Sequence, residues 1–160
     1  MSPSSAIRKA TPADVQSIHR LLTQASKVSA VLPRSRAALF DTIRDFFVFE
    51  EGGQVLACCA LHIVWDDLAE IKSLSVDPGL QGKGIGRALA NACIEEARRL
   101  GLPRVFALTG VPDFFLRDGF REISKEKLPH KVWGDCINCP KYPDCDETAV
   151  VYDIGLGTYR

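Results

Sequence analysis

Glu70-Ile71-Lys72-Ser73-Leu74-Ser75-Val76-Asp77-Pro78-Gly79-Leu80-Gln81-Gly82-Lys83-Gly84-Ile85-Gly86-Arg87 is the stretch on which the fold turns. Ala69–Val76 reads as a long strand that Asp77-Pro78-Gly79 ends, and a glycine-rich loop then opens a helix from about Ile85 to Leu100. Small residues at such a handover let successive backbone N–H groups face one anion, and the helix N-terminus adds a favourable dipole. Lys83 and Arg87 add positive charge. Physics alone makes this loop a pyrophosphate cradle. It is not a Walker loop, because no Gly-Lys-Ser/Thr stands at the required spacing. A dinucleotide fingerprint normally follows the first strand of a βαβ unit, whereas this loop follows about the fourth strand. The remaining alternative is a tight turn whose glycines serve packing alone.

Outward from the loop, the other elements fall into place. Ala6–Lys9 is a short edge strand. Thr11-Pro12-Ala13-Asp14 opens a helix with a cap-like pattern, and Val15, Ile18, Leu21, Leu22 and Ala25 follow at helical spacing. Leu32-Pro33-Arg34 breaks the chain, and Ser35 caps a second helix to about Arg44. Strands at 46–50 and 54–64 are joined by a turn at Glu51-Gly52-Gly53. Beyond the long helix, Gly101-Leu102-Pro103 is a stop, 104–108 a strand, 114–117 a short helix closed by Gly119, and 148–154 a last strand. The order β-α-α-β-β-β-α-β-α-β describes a mixed α/β chain, expected to form one domain over residues 1–160.

Composition excludes several classes of function. Twenty basic residues balance twenty acidic ones, which argues against broad electrostatic binding to nucleic acid or an anionic membrane. No apolar run reaches the length of a membrane span, and residues 1–9 lack the apolar centre of a signal peptide. The expected location is the cytoplasm, with a small molecule as partner. Cys58, Cys59 and Cys93 lie in apolar segments and read as core residues. His19, His62 and His130 show no triad pattern in the sequence.

The run from Glu70 to Pro78, followed by Gln81-x-x-Gly84-x-Gly86, resembles the acetyl-CoA motif of the GNAT superfamily of N-acetyltransferases. Phe115 to Gly119-Phe120 resembles the aromatic-x-x-x-Gly-Phe segment that follows in the same fold. The resemblance implies an α+β fold with a mixed, mostly antiparallel central sheet flanked by helices. Two central strands splay, and the thioester enters between 69–76 and 104–108. It further implies that the backbone of Leu74, Ser75 and Val76 pairs with the pantetheine arm of acetyl-CoA. Gln81, Gly82, Lys83, Gly84, Ile85, Gly86 and Arg87 hold the pyrophosphate. Glu70 precedes Gln81 by eleven residues, the spacing at which several such enzymes carry a glutamate base; the alternative is a strand glutamate paired with Lys72 or Arg104. An amine attacks a thioester only when neutral, so a positioned base has work to do. The backbone N–H of Leu74 is implied as the oxyanion donor. Where the superfamily often has a proton-donating tyrosine, this sequence has Phe115. Either the thiolate leaves unassisted or another donor serves, with Tyr142 and Tyr152 the alternatives. Direct transfer is preferred over an acetyl-cysteine route, because burial suppresses the thiolate.

Leu32-Pro33-Arg34-Ser35, Ala57-Cys58-Cys59-Ala60-Leu61-His62 and Leu128-Pro129 with Lys131 are similar to the acetyltransferase domain of bacterial N-acetylglutamate synthases. That resemblance implies an amino-acid acceptor, L-glutamate first, with Arg34 on a carboxylate and Lys72 or Lys131 on the second. A guanidinium gives the planar two-point match a carboxylate needs. The likeness is to a short, stand-alone form without an amino-acid-kinase-like domain. Cys136-x2-Cys139-x5-Cys145, with His130, offers soft ligands for zinc, and is read equally as a packed thiol cluster.

Overall fold

The computed structural model describes residues 6–28, 33–128 and 147–155. The strands are β1 (Ala6–Lys9), β2 (Phe46–Glu51), β3 (Gln54–Trp65), β4 (Leu68–Val76), β5 (Arg104–Thr109), β6 (Arg121–Ile123) and β7 (Thr148–Asp153). The helices are α1 (Val15–Ser26), α2 (Arg36–Asp41), α3 (Ile85–Arg99) and α4 (Pro112–Leu116). Sheet order is β1-β2-β3-β4-β5-β7-β6, with β4 and β5 parallel and the pairs β1–β2, β2–β3, β5–β7 and β6–β7 antiparallel. The sequence reading omitted β6. Its three residues are mostly exposed and show no apolar alternation to betray a strand.

Contacts group the chain into two units, Met1–His62 with Ile71–Glu96 and Ile63–Glu70 with Ala97–Arg160. In the first, one face of α1 (Val15, Ile18, Leu21, Leu22) and Leu39 of α2 pack on Phe46, Val48, Cys58 and Ala60 of the sheet. Spacing at i, i+3 and i+4 puts the α1 residues on one side, as the periodicity predicts. Ser35 caps α2 by accepting from the Ala38 N–H at 3.1 Å. The entry to α1 is held by charge. Arg8 donates to both carboxylate oxygens of Asp14, at 2.8 and 3.0 Å, and to Glu50 at 2.8 Å. Asp14 also accepts from the Thr11 N–H at 2.7 Å. The Arg8 hydrogen bonds hold the buried Asp14 carboxyl below its ordinary range.

The β2–β3 ladder slips by one residue: Phe49 faces Ala57, but Glu50 faces Val55, leaving Leu56 as a bulge. The Leu56 carbonyl then accepts from the Asp77 N–H at 2.8 Å. A hairpin irregularity thus anchors the start of the glycine loop.

In the second unit, Val64, Leu68, Phe106, Leu128, Ala149 and Val151 form the core. The β4–β5 ladder consists of Leu68↔Arg104, Ala69↔Val105 and Glu70↔Phe106, while β5 pairs with β7 along its whole length. Phe114, Phe115, Phe120 and Tyr152 form a chain of tilted and edge-on rings, with centroids 4.9, 5.0 and 5.3 Å apart. Gly119 sits under it at φ +94°, where a Cβ would come within 3.2 Å of the Tyr152 ring. Only glycine fits that position without displacing the ring.

Candidate active site

The glycine loop is braced by its own chain. Asp77 Oδ1 accepts from the Gly79 N–H at 3.0 Å, the Leu80 N–H donates to the Asp77 carbonyl at 2.8 Å, and Gln81 Nε2 donates to the Val76 carbonyl at 3.2 Å. Gly82 and Gly84 then take φ +81° and +82°, a left-handed backbone that side chains rarely adopt, with open space where a Cβ would point. The first α3 bond runs from the Ala88 N–H to the Gly84 carbonyl at 3.0 Å, so the N–H groups of Ile85 and Gly86 have no acceptor within the helix. Lys83 and Arg87 are exposed beside them. Open space, outward amides and two cations fit a pyrophosphate, the group that acetyl-CoA would bring.

Upstream, Ser73 in the middle of β4 has φ +57°, and is the sole non-glycine residue with positive φ among the described residues. Such a residue costs on the order of 1–2 kcal/mol and interrupts the regular alternation of the strand. Its carbonyl is met by the Cys58 thiol at 3.5 Å, and that of Lys72 by the Cys59 thiol at 3.9 Å. Ser75 donates from Oγ to the Leu21 carbonyl at 3.2 Å, tying β4 to α1. The sequence carries no sign of this kink, because serine is not a residue that announces a left-handed backbone.

The first unit therefore holds Arg34, Lys72, Leu74, Ser75, Val76 and the whole 81–87 loop, whereas Glu70 belongs to the second unit as the last β4 residue paired with β5. Glu70 and Lys72 are both half-buried. Arg34 is anchored: its guanidinium lies 5.9 Å from the Phe46 ring centroid and donates to Thr42 Oγ1 at 3.2 Å, while that hydroxyl donates to the Ala38 carbonyl. Sequence reasoning missed a neighbour. His62 Nδ1 is 2.7 Å from Asp45 Oδ2, a pairing across seventeen residues that no local pattern reveals.

The buried cysteines are poor nucleophiles. Burial pushes the Cys58 thiol up to about 12, and Cys59 is raised by its contact with Cys93, 3.8 Å away, together with burial. Both remain thiols at neutral pH. Phe115 is buried in its ring chain and has no proton to give, and Tyr152 is half-buried against Phe120. Leu32, His130, Lys131, Tyr142, Cys136, Cys139 and Cys145 lie outside the described residues; among the described ones, no group of three or more metal-ligating side chains occurs. No helix among the described residues is long and apolar enough to cross a membrane.

The chain is similar to known proteins. The acetyltransferase (GNAT) family matches residues 15–120. An uncharacterised N-acetyltransferase of Chlorobaculum tepidum is 42% identical over 91% of this chain and 94% of its own. An amino-acid acetyltransferase of Mycobacterium tuberculosis is 36% identical over 96% of this chain and 82% of its own. Among solved structures, N-acetylglutamate synthase of Neisseria gonorrhoeae, complexed with coenzyme A and N-acetyl-glutamate, superposes with a TM-score of 0.86 at 28% identity. The superposition covers 97% of this chain and 36% of that one.

Proposed function

Since the chain belongs to the acetyltransferase (GNAT) family, we propose that it moves the acetyl group of acetyl-CoA to the α-amine of a small amino acid, L-glutamate before others, as an N-acetylglutamate synthase of arginine biosynthesis. Acetyl-CoA-dependent N-acetyl transfer is the family's chemistry, and the acceptor is the finer part of the reading. The observation that carries it is likeness to an amino-acid acetyltransferase along nearly the whole chain. Arg34 supports it, because a guanidinium already oriented by Thr42 and Phe46 loses little freedom on meeting a carboxylate.

In this reading the backbone of Gly82 to Arg87, with Gln81 bracing the loop, holds the pyrophosphate. Leu74, Ser75 and Val76 offer main-chain groups to the pantetheine arm. The Leu74 N–H, re-aimed by the left-handed Ser73 before it, serves the thioester oxygen as charge builds there. Arg34 takes one acceptor carboxylate and Lys72 the other. Glu70 accepts a proton from the acceptor nitrogen. Phe115 cannot protonate the leaving thiolate, which a thiol's modest pKa lets depart unassisted.

Steady-state acetylation with a panel of amino acids and simple amines tests the proposal. L-Glutamate should exceed L-glutamine by roughly tenfold to a hundredfold, because an amide leaves a carboxylate site mismatched at a cost of about 1–3 kcal/mol. Glutamate no better than unrelated amines would sink the synthase reading and leave the family untouched.

A further inference from the structure

The imidazole of His62 and the carboxylate of Asp45 form a built pair that the family motif does not include. β2 and β3 place Phe46 opposite Ala60, so both face the α1–α2 core. Alternation along β3 carries Cys58, Ala60 and His62 on that same face, with His62 the outermost. Asp45 immediately precedes Phe46, and Arg34 lies over the Phe46 ring. Arg34, Asp45 and His62 are therefore grouped at one end of the β2–β3 ladder within the first unit. The ring is held yet reachable: 42% of the His62 side chain and 28% of that of Asp45 are exposed.

Bond direction fixes the ring's role. An ionised carboxylate only accepts, so the nitrogen 2.7 Å from Asp45 Oδ2 is the one that carries hydrogen. In the neutral ring this leaves Nε2 with its lone pair directed away from Asp45. A histidine oriented in this way by a carboxylate presents its free Nε2 lone pair to receive a proton.

The reaction calls for more than one such acceptor. An α-amino acid brings its nitrogen as an ammonium group bearing three hydrogens, and the amide product bears one. One proton leaves before the freed lone pair can attack the thioester carbon. A second leaves as the C–N bond is made and the C–S bond breaks. One proton ends on the departing thiolate and the other is released to water. Glu70 serves one of these transfers in the reading above. We propose that His62 Nε2, oriented by Asp45, takes the other, receiving the second proton from the acceptor nitrogen as the C–N bond is made and the C–S bond breaks, while Glu70 frees the attacking amine.

This inference rests on the amino-acid acceptor proposed above, and its test keeps the two apart. Initial rates are measured on the full chain with L-glutamate, or with whichever amine the wild type turns over best, for His62→Ala, His62→Gln and Asp45→Asn. An unchanged acetyl-CoA thermal shift certifies each fold. His62→Ala should lose roughly 10- to 100-fold in kcat with the KM for acetyl-CoA unmoved, and added imidazole should restore part of that loss. His62→Gln, which still donates to Asp45 but takes no proton, should be as slow as His62→Ala. Asp45→Asn should lose less than either. Wild-type kcat in His62→Ala, wild-type kcat in His62→Gln, or a loss that imidazole leaves untouched would each overturn the proton-accepting role. A wild type that acetylates other amines but no amino acid overturns the acceptor reading instead, and the imidazole arm still judges His62 on the amine it uses.

Discussion

The glycine loop and the Arg34–His62 patch sit in one unit and are built on opposite plans. The loop is a continuous run: Gly79 and Leu80 bond to Asp77, Gln81 bonds to Val76, all within six residues, and Gly82 and Gly84 supply the two left-handed steps. The patch is made of side chains from positions 34, 42, 45, 46 and 62, brought together by helix capping and strand register. A site made of backbone depends on conformation, so its sequence must be glycine-rich and contiguous. A site made of side chains depends on register, and its residues stand anywhere that register allows.

The largest expected effect falls on Glu70, which stands on the strand that leads to the loop but belongs to the other unit. Glu70→Gln keeps the shape and removes the proton acceptor, so kcat should fall roughly 10²–10⁴-fold while acetyl-CoA still binds. The deficit should shrink at high pH, where the amine arrives already neutral. Full activity at neutral pH would remove Glu70 from the chemistry.

Next comes the loop itself, through a pair of substitutions. Gly84→Ala and Gly84→Asp share the cost of a side chain at φ +82°, about 1 kcal/mol, but only aspartate adds charge. If amides at this helix start hold a pyrophosphate, Gly84→Asp should bind acetyl-CoA roughly tenfold to a hundredfold more weakly than Gly84→Ala in calorimetry, about 1–3 kcal/mol. Equal affinities would mean that the glycines serve only the turn. The patch offers the matching experiment. Arg34→Ala should raise the KM for glutamate roughly tenfold or more with that for acetyl-CoA nearly constant; if both shift together, loop and patch are not separate devices.

The smallest effect concerns a second side-chain assembly, Arg8–Asp14–Glu50. Folding depresses the Asp14 carboxyl, so its contribution is complete above the ordinary carboxylate range and fades as pH falls through the lower folded value. Asp14→Asn should cost about 1–3 kcal/mol near neutrality. The gap to wild type should close as the pH drops below about 4 in denaturant titrations. A gap constant into acid would show that the ion pair is not its source.

The same contrast explains what the sequence could tell. Strands β2 to β5, α1 and α3 were legible because alternation, helical spacing and Gly/Pro breaks mark them directly, and the 81–87 loop because its glycines are adjacent. Arg34 was singled out by likeness, without Thr42 or Phe46 as its holders. His62 was set aside for want of a local partner, since Asp45 reaches it only through the β2–β3 register. Ser73 kept its left-handed turn hidden, and β6, three largely exposed residues long, leaves too little pattern to read.

The Leu56 bulge has a consequence for how this molecule tolerates insertions and deletions. Its carbonyl holds the Asp77 amide, so the length of one hairpin arm sets the position of a loop that starts twenty-one residues downstream. Residues added at the Gly52-Gly53 tip would extend outward from the ladder, which makes the tip a natural graft site. Removing Leu56 would restore a regular ladder and withdraw the acceptor that seats Asp77. Two edits only three residues apart would thus meet opposite fates, one borne by the hairpin alone and the other felt at the entrance to α3.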